Sequence, residues 1–546
     1  MRSSTDFFSM APSFSFSSTD HTNTLYFSRS LLPSCRMAPV KPSHVTNLPF
    51  GHLSSELLAL IFEQIREVDL PTLKSVRLAS RRFDAIAAPI AYRVLTLNER
   101  LVAPDAEQRY QGTFDNIGAH TNHVVIPSNL DPEGINRILL RIRRLYSIRW
   151  QYTDRDFHTS DIWLPSDFLN TRNKRPNETT LYVDNLPLSE VDNNPNNCYT
   201  RAIPPQHLTS LKLTSPSPTL STRLGPLKRL LLQSSRLRTL HYEDRGQGTS
   251  FNFQPGERMP PLTHLLLRSY DWKHSTQDVK EHWNLSQLES LELVSVPVFN
   301  FLSSIPFNNL ANLNTLHVGN YSHLSDRRQE ATNGLYLLVK NHIQALEVLD
   351  ITCHTKLFPL NAILKHQHSL KVLRFRDHVG FADDDGQCPT LCADNVDLLS
   401  RNLTCVHTLE LDMDVGGCNP TDFLRAICAF PALHTLTLHV QTVVQPLEDQ
   451  VPGGVDRDHE AAMQMLRLLV QTRQQALGMS WRRITINVGG WKRVMVRRLG
   501  GAWHRLNEMG IYAERCFVME RDDDNRLEVR EEMCLENSSR RASPDP

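Results

Sequence analysis

A six-residue pattern, Leu-x-x-Leu-x-Leu with conservative replacements, recurs nine times between residues 208 and 438. Successive copies begin 24 to 36 residues apart. A unit of this length cannot bury its apolar side chains alone, so repeated units must stack on their neighbours. The leucines at the fourth position of the pattern are Leu211, Leu240, Leu265, Leu291, Leu316, Leu349, Leu373, Leu409 and Leu436.

The second half of each hexapeptide alternates apolar and polar residues, which predicts a short strand with one buried face. Helix-like stretches at 328–343 and 421–429 lie between such strands. The fold class is therefore α/β, a parallel sheet that curves as a solenoid. Weaker strands at 94, 123, 146 and 180, a helix from Asp131 and Pro132, and a terminal cap built from "RRITINV", a helix at 491–509 and "YAERCFVM" extend the array over residues 93–519.

A doubly wound α/β enzyme also alternates strands and helices, but it would not repeat this leucine pattern about every 25 residues. The chain has no phosphate-binding loop, no nucleophile elbow and no His-Glu-x-x-His motif. We therefore expect no catalytic residues. His378, Cys388, Cys392 and the aspartates at 383–385 share one insertion, but their spacing is not that of a metal site. We expect no metal and no cofactor.

Lys+Arg and Asp+Glu both number 59 in the 546 residues, which argues against a general nucleic-acid binder. No apolar run reaches about 18 residues, so no membrane span is expected. The ten cysteines are thinly spread, which favours free thiols in the reducing cytoplasm or nucleus. Composition predicts a disordered leader at 1–47 and a disordered tail at 520–546.

Residues 48–92 predict a small helical module. Apolar residues recur at helical spacing from residue 57 to 65, with Ser54 as an N-cap. Asp69 caps a second helix that tolerates Pro71 in its first turn, and Pro89 is expected to end the helical run. Periodicity leaves open whether the apolar face packs on this chain or on a partner.

This module resembles an F-box. Leu53, Glu56, Leu57 and Leu58 match the family's opening, and residues 61–65 match its first helix. Asp69-Leu70 and Arg81-Arg82-Phe83 match its middle and its end, although Ser54 replaces the usual proline and Ala79-Ser80 replaces the usual Val-Cys pair.

The resemblance, together with the leucine-rich repeats, implies a fungal-type F-box protein, the substrate receptor of an SCF-type ubiquitin ligase. An F-box binds the Skp-type adaptor and, through it, the cullin–RING core. The alternative is a repeat scaffold whose F-box has drifted and that has no ligase role. The residues expected to contact the adaptor or to pack the module are Leu53, Glu56, Leu57, Ile61, Phe62, Leu70, Leu73 and Val76.

A target protein would bind the concave strand face, where side chains alternate with the buried leucines. Both signs of charge occur there, so neither an acidic nor a basic ligand is favoured. The column directly after the central leucines comprises Lys212, His241, Leu266, Glu292, His317, Asp350, Arg374, Glu410 and Thr437. The neighbouring column includes Glu243, Arg268, Arg376, Asp412 and His439.

Overall fold

The computed structural model describes residues 53–153, 169, 179–186, 203–213, 224–243, 249–320, 325–377, 390–414, 417–441, 457–477, 480–488, 515–521 and 527–533. The chain divides into two compact units, Met1–Leu58 and Ala59–Pro546. Of the first unit, the structure describes residues 53–58. The predicted leader, residues 378–389 of the insertion that contains His378, Cys388 and Cys392, and the predicted helix at 491–509 lie outside the described residues.

The helical module contains α1 (Ser55–Val68), α2 (Leu70–Ala79) and α3 (Arg81–Tyr92). The predicted caps are confirmed, since Ser54 Oγ accepts a hydrogen bond from Leu57 N at 3.3 Å and the Asp69 carboxylate accepts one from Thr72 N.

Two details of the module differ from the prediction. Ser80 adopts an extended conformation and its hydroxyl accepts from Phe83 N, so the run from residue 70 is two helices rather than one. Pro89 lies inside α3 and does not end it, because α3 continues to Tyr92. A short polar residue competes for backbone hydrogen bonds and therefore separates helices that apolar spacing alone would join.

In the part of the chain that the structure describes, sixteen strands form one sheet, and each strand is bonded to its neighbour in sequence. The strands are β1 (Val94–Thr96), β2 (His123–Pro127), β3 (Ser147–Gln151), β4 (Thr180–Leu186), β5 (Leu208–Leu213), β6 (Thr239–Glu243), β7 (His264–Arg268), β8 (Ser290–Val296), β9 (Thr315–Asn320), β10 (Val348–Cys353), β11 (Val372–Asp377), β12 (Thr408–Asp414), β13 (Thr435–Gln441), β14 (Arg483–Val488), β15 (Arg515–Arg521) and β16 (Leu527–Met533).

The sequential strand order distinguishes this sheet from a doubly wound one, whose order reverses at a switch point. Pairing is parallel from β1 to β14, whereas β14–β15 and β15–β16 are antiparallel. The fold is therefore mixed α/β with an open, mostly parallel sheet. The expectation of disorder from residue 520 onward is wrong for 520–521 and 527–533, because cross-strand pairing supports a segment whose composition is strongly charged.

The central leucines of all nine hexapeptides form one continuous register. Leu211 pairs with Leu240, Leu240 with Leu265, and the series continues strand by strand to Leu436. Each of these side chains is at most 1% exposed. Burial of this column of leucines, at roughly 25 cal/mol per Å² of apolar surface, stabilises the stack of strands.

Helices between the strands complete one continuous apolar core in the second unit. They are α4 (Glu99–Val102), α5 (Ala106–Arg109), α6 (Gln111–His120), α7 (Pro132–Arg141), α8 (Leu224–Gln233), α9 (Thr276–His282), α10 (Val298–Ser304), α11 (Ser325–Leu337), α12 (Asn361–Leu364), α13 (Ala393–Asn402), α14 (Pro420–Cys428) and α15 (Arg457–Leu477). The predicted start of α7 is confirmed, because the Asp131 carboxylate accepts from Gly134 N at 2.7 Å with Pro132 in the first turn.

Candidate interaction surfaces

The predicted polar column exists. Lys212 pairs in register with His241, His241 with Leu266, and Leu266 with Glu292, and the column continues through His317, Asp350, Arg374 and Glu410 to Thr437. Parallel strands in register place these side chains on one face of the sheet, about 4.8 Å apart from strand to strand.

Ion pairs connect this column to the neighbouring one across β6 to β9. The Glu243 carboxylate lies 3.7 Å from His241 Nε2 and 3.5 Å from Arg268 Nη1. Arg268 Nη2 is 3.9 Å from Glu292, whose carboxylate is 3.5 Å from His317 Nδ1. Each cationic or imidazole group therefore stands beside a carboxylate of its own or an adjacent strand.

The same arrangement continues across β10 to β12. His317 Nδ1 is 3.7 Å from Asp350 Oδ2, which lies 3.0 Å from Arg374 Nη1. Arg374 Nε is 3.3 Å from Glu410, and Arg376 Nε donates to Asp412 at 2.9 Å. We call the connected groups from His241 to His439 the charge ladder.

The charge ladder contains five carboxylates, three guanidinium groups and three imidazoles. Its members are His241, Glu243, Arg268, Glu292, His317, Asp350, Arg374, Arg376, Glu410, Asp412 and His439. The sequence predicts the column but not its mutual pairing. Lys212 forms no ion pair with any described residue.

Pairing within the charge ladder changes the acidity of Glu243. Burial alone would raise the pKa of this carboxyl, but the adjacent His241 imidazole and the charge of Arg268 together lower it below its ordinary value. Glu243 therefore carries a negative charge at neutral pH although it is partly buried. The ladder is thus a partly buried, alternating network rather than a row of solvated side chains.

The predicted adaptor residues fall into three groups by exposure: buried, partly buried and exposed. Phe62 and Leu73 are at most 2% exposed, so they form the core of the module. Leu57 and Leu70 are 50% and 40% exposed and are available to a partner. Glu56 is exposed, whereas Leu53, Ile61 and Val76 are partly buried.

Three exposed apolar residues of the module lie outside the predicted set. Leu60, Val68 and Leu78 expose 62%, 86% and 89% of their surface. Leu60 and Leu78 lie off the apolar stripes that helical spacing predicts, so the module's own core does not use them. Val68 is the last residue of α1, where the helix no longer buries its apolar stripe. Each of these side chains leaves more than half of its apolar surface in solvent, so each is a candidate contact for a partner.

A buried aromatic and histidine cluster was not predicted from the sequence. Tyr270 OH contacts His274 Nε2 at 2.9 Å, and the His274 ring packs against Trp272 and Trp283. Burial lowers the pKa of His274 to about 4. Burial likewise raises the pKa of Tyr270, so neither group carries charge at neutral pH and the cluster is a structural core.

Among the described residues, no group of three or more His, Cys, Asp and Glu side chains is placed to hold a metal ion. Cys392, from the candidate metal insertion, precedes α13 and is exposed, whereas His378, Cys388 and the aspartates at 383–385 lie outside the described ranges. The six described cysteines are free thiols. The helices in the described ranges include none with the length and hydropathy of a membrane span.

No known family model matches this chain, and no curated protein is significantly similar to it in sequence.

Proposed function

We propose that this chain is a non-catalytic substrate-recognition subunit of an SCF-type ubiquitin ligase in the cytoplasm, the nucleus or both. Residues 48–92 would act as an F-box that binds a Skp-type adaptor and, through it, a cullin–RING core. The sheet would be a leucine-rich-repeat solenoid that binds a target protein. The observation that carries the proposal is the exposure of large apolar side chains on a module whose own core is already filled.

The module's surface supports this role physically. Phe62 and Leu73 already fill the interior, so α1 and α2 do not need Leu60, Val68 and Leu78 for folding. Covering a fully exposed leucine is worth about 1.5–3 kcal/mol, so a partner that buries several of them gains substantial binding energy. The order of F-box residues along α1 to α3 makes a Skp-type adaptor the partner we favour.

The strand face supports target recognition. The charge ladder offers charged groups of both signs at fixed spacing, since each is held by its neighbours. Pre-paired charges need little reordering on binding, and complementary charges contribute specificity more than raw affinity. The chain would then act by proximity, holding a target near the ubiquitin-transfer chemistry of other subunits.

Co-purification of the full chain with a Skp-type adaptor tests the proposal. We expect adaptor in the wild-type pull-down and a loss of at least tenfold for Leu60→Asp/Leu78→Asp. Leu140→Asp is the matched control, because Leu140 is 62% exposed but lies on α7, outside the module. Phe62→Asp is unsuitable, since it would disrupt the module's core.

If the folded wild-type chain retains no adaptor, the ligase role fails and a repeat scaffold with a drifted F-box remains. Ser54 is the feature that favours this second candidate. It replaces the family's proline, and its hydroxyl caps α1. Full adaptor retention by the double variant would instead move the contact surface away from Leu60 and Leu78.

A further inference from the structure

Among the described strands, the last strand of the sheet is paired along one edge and unpaired along the other. β16 pairs with β15 along one side, with Arg530 opposite Val518 and Glu528 opposite Glu520. No described strand pairs with the other side of β16. An exposed strand edge presents a row of backbone N–H and C=O groups that can accept another strand.

Two apolar side chains of β16 are also partly exposed. Val529 lies opposite Met519 on β15, and Leu527, two residues earlier, lies on the same face of β16. Met519 and its neighbour Phe517 are at most 3% exposed, whereas Leu527 and Val529 are 40% and 44% exposed. Side chains on this face are therefore buried on β15 but partly exposed on β16.

Charged side chains occupy the opposite face of β16. Arg530 Nη2 lies 2.9 Å from Glu520, and Arg530 Nε lies 2.7 Å from Glu532. Arg483 on β14 completes the network at 3.6 Å from Glu520 and 3.5 Å from Glu532. This network orients Arg530, whose side chain is 43% exposed, on the polar face next to the free edge.

We propose that the free edge of β16 binds β16 of a second copy of this chain in antiparallel fashion, with the two Val529 residues opposite each other. A two-fold axis perpendicular to the sheet keeps the apolar faces of both copies on the same side of the joined sheet. Because opposed residues of an antiparallel pair point to the same side, one residue must then lie opposite its own copy at the axis. Centring on Glu528, Arg530 or Glu531 would set identical charges opposite each other. Centring on Val529 instead sets Glu528 opposite Arg530 twice, and cross-strand pairs of opposite charge are favourable.

The interface is small, because it joins two seven-residue strands. Stable protein interfaces bury about 1,200–2,000 Å², so pairing along one strand gives a weak, concentration-dependent dimer. This inference does not depend on the proposed ligase role.

Sedimentation velocity of the full chain over roughly 5 to 200 µM tests the inference. The wild-type mass should rise toward twice the monomer mass, and Glu528→Arg should remain monomeric because the introduced guanidinium would face Arg530 of the second copy. Within one chain this substitution removes a like-charge pair with Glu520, so β16 itself is not weakened. Glu531→Arg, with the same charge change on the other face, should still dimerise. A wild type that stays monomeric throughout the range overturns the inference.

A cross-link fixes the register. Oxidised Val529→Cys should form a disulfide-linked dimer on non-reducing gels at a yield at least fivefold above wild type, whose own cysteines set the background. Arg530→Cys, one residue away, should stay near that background, because Arg530 of the two copies would not lie opposite each other. Equal yields for both variants, or none above background, contradict pairing centred on Val529.

Discussion

His439 Nε2 lies 2.9 Å from Glu410 Oε1 across β12 and β13, and both residues are less than 9% exposed. Arg374 and Arg376 also face this carboxylate, at 3.3 and 4.0 Å. Glu410 is therefore the point at which three positively charged or titratable groups from β11 and β13 meet. The charge of a nearly buried carboxylate is stabilised by these partners, and their charges are stabilised by the carboxylate.

Replacing Glu410 with alanine should lower the free energy of unfolding by about 3 kcal/mol, since it leaves Arg374, Arg376 and His439 without their shared carboxylate. Urea unfolding at neutral pH measures the change. Glu347→Ala is the control, because Glu347 and Lys371 form a half-exposed pair at 2.8 Å whose loss should cost less than about 1 kcal/mol. Equal losses for the two variants would show that the ladder adds nothing beyond ordinary surface pairs.

Two adjacent leucines of β7 should respond differently to the same truncation. Leu265 belongs to the buried leucine register and is 1% exposed, whereas Leu266 points to the polar face and is only partly buried. Leu265→Ala should cost about 2–5 kcal/mol because it leaves a cavity, while Leu266→Ala should cost about 1 kcal/mol or less. Urea midpoints compare them, and similar midpoints would contradict the assignment of faces.

Replacing each of two helical glycines with alanine should change the free energy of unfolding in opposite directions. A Cβ on Gly134 in α7 would lie 2.2 Å from the Val102 carbonyl oxygen, so Gly134→Ala must displace backbone and should destabilise by at least about 2 kcal/mol. A Cβ on Gly112 in α6 meets nothing within 4 Å. Gly112→Ala should therefore stabilise by about 0.5–1 kcal/mol, as helix propensity favours alanine.

Thermal unfolding monitored by circular dichroism measures the stability of both glycine variants. A neutral result for Gly134→Ala would show that α7 does not approach Val102 as closely as the structure has it.

Acid should weaken the fold through His274. Its pKa is about 4 in the folded chain because burial disfavours the charged imidazole, against an ordinary value near 6.5. As pH falls, the unfolded chain binds this proton before the folded chain does. The contribution of His274 to the free energy of unfolding is therefore complete above pH 6.5, and up to about 3 kcal/mol of it is lost as pH falls toward 4.

His274→Gln should flatten the pH dependence of the unfolding free energy between pH 6.5 and 4, and the exposed His264→Gln should leave it unchanged. Urea titrations at pH 7.5, 6, 5 and 4.5 measure both variants. An unaltered slope for His274→Gln would assign the acid sensitivity to other groups.

Most strands of the sheet can be predicted from the sequence, because burial of one strand face imposes a regular spacing on the apolar residues. The strands at 94, 123, 146, 180 and 482 and the nine hexapeptide strands are all confirmed. The column of Lys212, His241 and Glu292 follows as well, since side chains alternate across a strand and register aligns the leucines. The break at Ser80 was missed, because a cap depends on one local hydrogen bond that apolar spacing does not report.

The recurrence of leucines every 24 to 36 residues is enough to predict that the units stack, because each unit must bury one apolar face on its neighbours. The pairing of polar neighbours, such as Arg374 with Asp350 and Glu410, depends on the folded chain, since these contacts join residues distant in sequence. The tertiary structure also decided that Phe62 fills the module's core while Leu60 and Leu78 remain exposed. Helical periodicity marks apolar positions, but the packing of neighbouring helices selects which of them are covered.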